Sequence, residues 1–254
     1  MTDAGGIDPD RLPNPDVQDP DVSRPVDLGT ATHDDFTAPD TAPVADADVG
    51  TLRTMLGADE APTRRRGVLA LAERGAAGEN RAAIEALLRT DSDAEVRQFA
   101  VEALAAAGVE PETLRVGLED ANPWVRAETI VSLKQTAPRR AIGDFEAGLE
   151  DPHPAVRRNA LISLYHAAGE DAIDALEAGL SDESERVREW AVRLLGDLDP
   201  PDLASRFQAH LESEPSHVVR EAIGRALDGT TSVELSGGSG RRRADDHVLN
   251  RRPD

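Results

Sequence analysis

The most regular reactive groups in the chain are acid–arginine pairs: Asp91 with Arg97, Asp120 with Arg126, Asp151 with Arg157 and Asp182 with Arg188. A carboxylate in such a pattern has three chemical uses: proton transfer, metal ligation, or a forked bond to a guanidinium. Catalysis needs a nucleophile and a base at a recognisable spacing, and none accompanies these pairs. The histidines, His33, His153, His166, His210, His217 and His247, form no His-x-x-x-His and no His-Glu pair. The absence of cysteine removes disulfides, thiolate ligands and thiol nucleophiles. No glycine-rich phosphate loop is present either. No catalytic residue, metal or cofactor is therefore expected, and the role of the pairs depends on the elements that carry them.

Each pair belongs to a longer repeat. Asp91…Val96-Arg97…Ala100…Leu104 aligns with Asp120…Val125-Arg126…Thr129…Leu133 and Asp151…Val156-Arg157…Ala160…Leu164. Asp182…Val187-Arg188…Ala191…Leu195 follows, then a weaker copy, Glu214…Val219-Arg220…Ile223…Leu227. A degenerate first copy contains Thr63-Arg64…Gly67…Leu71. The Val (or Thr63) positions are 33, 29, 31, 31 and 32 residues apart.

Within each copy an apolar or small residue recurs every fourth position, which is one face of an α-helix. Asp93, Asn122, Ser184 and Ser216 stand where a helix cap belongs, and Pro123 and Pro154 fall just after it. Gly75, Gly108 and Gly169 sit where these helices should stop. A shorter amphipathic stretch precedes each, as in residues 82–88 and 172–180. Each unit is thus a helix–turn–helix with two apolar faces, which only stacking on its neighbours can cover. Residues from about 50 to 229 are predicted to form an all-α solenoid of six two-helix repeats.

The pattern Asp-x-x-x-x-Val-Arg-x-x-Ala-x-x-x-Leu resembles the HEAT repeat, especially the short variety of phycobilisome-lyase-like proteins. The resemblance covers about residues 50–229 and implies a right-handed α-α superhelix. It also implies a structural ladder between successive units, built from Asp91, Asp120, Asp151 and Asp182 with Arg97, Arg126, Arg157 and Arg188. Glu214 and the first repeat depart from the pattern, as capping units do. In such solenoids the second helix of each unit lines the concave side. Its non-core positions predict a protein-binding surface at Val131, Arg158, Ile162, Tyr165, Trp190 and Arg193, suited to a helix or an extended peptide. A lyase-like or other accessory enzyme is the second reading of the resemblance. The di-iron hydroxylases built on such repeats depend on His-Glu motifs, which are absent here.

Nucleic-acid binding is a third reading, and charge counts against it. The net charge is −21, and the repeat region alone carries 33 acids against 21 bases, so a phosphate backbone is repelled. Lys134 is the single lysine. High Asp and Glu with almost no lysine resembles the proteins of salt-in halophilic archaea and predicts stability that rises with salt. Residues 1–48 hold twelve Asp, two Arg and recurrent prolines, and are expected to form a disordered acidic arm. Residues 230–254 contain the Ser236–Gly240 hinge and the Arg241–Arg243 cluster, and are expected to form a flexible tail. No apolar run approaches the ~18 residues of a spanning helix, and the start of the chain is polar and acidic. A soluble, cytoplasmic, monomeric protein is expected.

Overall fold

The computed structural model describes Val44 and residues 47–236, with side chains as far as Asp228. The arm before Val44, like the tail beyond Ser236, lies outside the described residues. Asp48 accepts the Thr51 N–H at 2.8 Å and so caps the first helix. Six helix pairs follow. They are α1 (Val49–Met55) with α2 (Ala61–Glu73), α3 (Arg81–Thr90) with α4 (Ala94–Ala106), and α5 (Pro111–Leu114) with α6 (Pro123–Thr136). Then come α7 (Ile142–Gly148) with α8 (Pro154–Ala168), α9 (Ile173–Gly179) with α10 (Glu185–Leu198), and α11 (Leu203–Leu211) with α12 (His217–Ser236). A 3-10 turn over Arg115–Glu119 extends α5. No strand occurs among the described residues.

The repeated apolar positions explain the stacking. Val96, Val125, Val156, Val187 and Val219 are all buried, as are Ala100, Thr129, Ala160, Ala191 and Ile223 one turn on. Leu104, Leu133, Leu164 and Leu195 complete the stripe. Each even-numbered helix packs on the next even-numbered one, from α2 through to α12, while the odd-numbered helices pack chiefly on their own partners. The even helices are therefore the more closely spaced layer, towards which such a stack curves. The molecule is an α-solenoid.

Local chemistry sets the helix ends. Asp93 accepts the Val96 N–H at 3.0 Å, Asn122 the Trp124 N–H at 2.9 Å, and His153 Nδ1 the Ala155 N–H at 3.3 Å. Ser216 Oγ lies 3.4 Å from the Val219 N–H. Ser184 departs from expectation: it has the extended backbone of a cap but makes no side-chain cap bond. Gly75 and Gly108 end α2 and α4 with φ of 67° and 69°, where a side chain would be strained. The last helix runs to Ser236, past residue 230 at which the flexible tail is expected to begin.

Candidate partner-binding surface

The arginine of each repeat joins two inter-helix loops. Arg97 Nη1 donates to the Asp91 carbonyl of its own repeat at 2.7 Å. Its Nε and Nη2 donate to the two oxygens of Asp120 in the next repeat at 2.6 and 2.8 Å. Asp120 also accepts the Asn122 N–H at 2.8 Å, which fixes the turn before α6. The same fork links Arg126 to Asp151 and Arg157 to Asp182. Burial pushes each of these carboxyls up. The arginine hydrogen bonds, the turn N–H and the arginine charge outweigh it and hold all of them below the ordinary carboxylate range.

The ladder also takes in the two units that depart from the repeat pattern. Arg64 of the first repeat binds Asp91 at 2.6 and 2.7 Å. Arg188 binds Glu214 at 2.9 Å through both nitrogens. Glu214 is almost fully buried and also accepts from the Ser216 N–H at 2.8 Å and contacts His210 Nε2 at 3.0 Å. Its carboxyl is held down at about 2: burial raises it, and Arg188, the Ser216 N–H and His210 more than compensate. The ladder therefore has five filled rungs, all on the loop edge.

The proposed partner residues lie on the even helices, and the structure separates them. Ile162 is only 2 % exposed and belongs to the core between α8 and its neighbours, so it is withdrawn from the surface. The register places it towards the closely packed even layer, which a single helix pattern does not reveal. Val131 is partly buried on α6. Arg158, Tyr165 and Trp190 are half-buried, and Arg193 is exposed.

Two of these six, Trp190 and Arg193, are brought together on α10, and Tyr165 and Arg158 lie on the neighbouring α8. The Arg193 guanidinium carbon stands 5.3 Å from the Trp190 ring centre, a cation–π distance, while Nη2 bonds Glu189 at 2.5 Å. The Tyr165 hydroxyl donates to Asp197 of α10. Arg158 donates to Asn159 Oδ1 at 3.2 and 3.1 Å, and Asn159 Nδ2 donates to the Ala127 carbonyl of α6 at 3.3 Å. Burial lowers the Arg158 pKa, and the Arg186 charge lowers it further. The result is an aromatic–cation pair on α10 and a tied tyrosine on α8, on an otherwise acidic chain.

The family model for HEAT repeats matches residues 111–182 and, overlapping them, 144–228. Residues 111–228 are HEAT repeats. Two solved structures are similar to the solenoid. One is the complex of CpcE and CpcF of phycocyanin lyase from Nostoc sp. PCC7120, at 16% identity and a TM-score of 0.39, covering 74% of this chain and 96% of that one. The other is an archaeal HEAT-like repeats protein from Thermococcus onnurineus NA1, at 16% identity and a TM-score of 0.45, covering 73% and 87%. Among curated proteins none matches this sequence.

Two groups in these HEAT repeats escaped the sequence pattern. Asp197 lies 32 residues after Tyr165, one repeat length, and that spacing was the available signal. Gly117, Gly148 and Gly179 recur at 31-residue intervals on the odd-helix side. A Cβ on Gly148 would lie 2.9 Å from Ala160 Cβ, and one on Gly117 would lie 2.2 Å from Thr129 Oγ1. The small residue of the even helix is thus matched by a glycine opposite. Among the described residues, no group of three or more acidic, histidine or cysteine side chains is placed to hold a metal. None of the helices among them is long and apolar enough to cross a membrane.

Proposed function

We propose that this HEAT solenoid is a non-catalytic adaptor that holds another protein, as a helix or extended peptide, on its even-helix face. The observation that carries this reading is the Trp190–Arg193 stack on α10, with Tyr165 of the neighbouring α8 bonded to Asp197 of the same helix. Aromatic and arginine side chains supply much of the energy of protein interfaces, most effectively when held in place before binding. Glu189 and Asp197 do that holding here. The adaptor works as a monomer in the cytoplasm, and the surrounding acids reject nucleic acid.

The test is affinity purification in native high salt, identification of the co-purifying protein, and titration of the purified pair. Trp190→Ala with Arg193→Ala should weaken binding at least about tenfold, by analogy with interface anchors. Arg193 is exposed whereas Trp190 packs half-buried against the core, so Arg193→Ala alone is measured beside the double variant, and helical content is checked in both. Unchanged affinity in a folded double variant defeats the proposal.

A further inference from the structure

Side chains tie the odd-numbered helices to one another at three joints. Arg81 Nη2 of α3 donates to Thr113 Oγ1 of α5 at 3.1 Å, and Arg115, in the turn after α5, donates to Asp144 of α7 at 3.0 Å. Arg206 of α11 pairs with Glu177 of α9. Between α7 and α9 the described residues supply no such bond, and a groove of about 470 Å³ opens there, on the odd-helix side of the fourth and fifth repeats.

The floor of the groove is apolar, made by Leu149, Leu161, Ala175, Ala178 and Val187. Leu161 and Val187 belong to the core, whereas Leu149 and Ala175 are half-buried and Ala178 is exposed. The rim carries four carboxylates, Glu150, Asp151, Asp182 and Glu183, against the guanidinium of Arg157. Asp151 and Asp182 are spent on the ladder, through Arg126 and Arg157. The other two remain available. Glu150 is exposed, and its carboxylate makes no hydrogen bond or ion pair among the described residues. Glu183 touches Arg157 Nη2 at 3.1 Å, yet its side chain is 81 % exposed.

An apolar floor under an anionic rim suits a side chain that is apolar along its stem and cationic at its tip. Arginine fits better than lysine: its guanidinium is weakly hydrated, and its forked donors serve carboxylates on two sides at once. We propose that this groove is a second docking site, which takes an arginine side chain of a partner protein. The stem lies on Leu149, Ala175 and Ala178, and the guanidinium sits between Glu150 and Glu183. The groove shares no residue with the Trp190–Arg193 face, so each surface stands or falls by its own test.

The test is an NMR titration of the full chain with the peptide acetyl-Ala-Arg-Ala-amide in about 1 M KCl, where a Debye length of ~3 Å suppresses diffuse attraction to the acidic chain. Amide shifts should concentrate at residues 149–151 and 175–183, with a dissociation constant on the order of 10 mM, as for a small fragment. The same peptide with citrulline for arginine keeps the shape without the charge. It should bind at least about threefold more weakly, and Glu150→Gln with Glu183→Gln should weaken the arginine peptide as much. Glu79→Gln with Glu102→Gln removes equal charge from exposed positions elsewhere and should leave binding unchanged. Ala178→Leu fills the groove with a good helix former and should abolish the shifts. Shifts scattered over the solenoid, equal affinity for the citrulline peptide, or undiminished binding by Ala178→Leu overturns the proposal. Free arginine brings its own carboxylate to the acidic rim and should bind more weakly than the peptide. Binding as tight as the peptide's would make the groove a small-molecule site and overturn the assignment to a partner protein.

Discussion

Glu214 shows how much a single side chain carries in this solenoid. Its two oxygens serve Arg188, the turn N–H of Ser216 and His210, and almost none of the side chain meets solvent. Removing its charge leaves Arg188 without its partner, and breaking one side of such a pair is more damaging than never having made it. A carboxyl with a depressed folded-state pKa stabilises the fold above its unfolded value and loses that contribution as pH falls through the folded one. For Glu214 the window runs from 4.5 down to about 2. Glu214→Gln should therefore be less stable than the parent at pH 6, and the difference should shrink steadily between pH 4.5 and 2. Urea unfolding of both proteins across that range reads it directly. A gap that is constant with pH would mean that shape, not charge, is what the residue supplies.

At the scale of the helix pair, the decisive contacts are between the smallest residues. Gly148 closes α7 against Ala160 of α8, and a methyl carbon added there would also stand 3.2 Å from Ile130 of α6. Alanine normally gains up to about 1 kcal/mol over glycine in a helix, whereas forcing an extra carbon into a packed contact costs about 1–3 kcal/mol. Packing should win at Gly148. Gly143 on the same helix has nothing within 4 Å of its added carbon, so propensity should win there. We expect Gly148→Ala to destabilise by about 1 kcal/mol and Gly143→Ala to be neutral or mildly stabilising. Thermal unfolding of the two variants side by side gives opposite signs if this is right. The glycine spacing was visible in the sequence, but its partner was not, because Gly148 and Ala160, twelve residues apart, meet only once their helices have folded face to face.

For the whole molecule the governing quantity is a net charge of −21. Mutual repulsion among these acids opposes the compact state, and salt screens it. The ladder responds differently, since its partly buried forks are screened less than exposed charges are. Added salt should consequently relieve more repulsion than it removes attraction. The unfolding temperature is expected to rise from low salt into the molar KCl range, beyond the point at which the Debye length has fallen to about 3 Å. A melting curve independent of KCl would sink the halophilic reading of the composition.

The repeat register was legible in the sequence because helix periodicity, caps and stacking residues are local properties, and each copy states them again. That was enough for the α-solenoid, its six units and the acid–arginine spacing. Arg64 and Glu214 stood in the repeat alignment, but their rungs were not expected, since Thr63 and Glu214 break the wording of the pattern while keeping its geometry. The partner surface was legible only in part. Arg158, Tyr165, Trp190 and Arg193 retain exposure, whereas Ile162 turns into the core. A helical period of 3.6 residues says which positions share a face, but only the neighbouring helix decides whether that face meets protein or water.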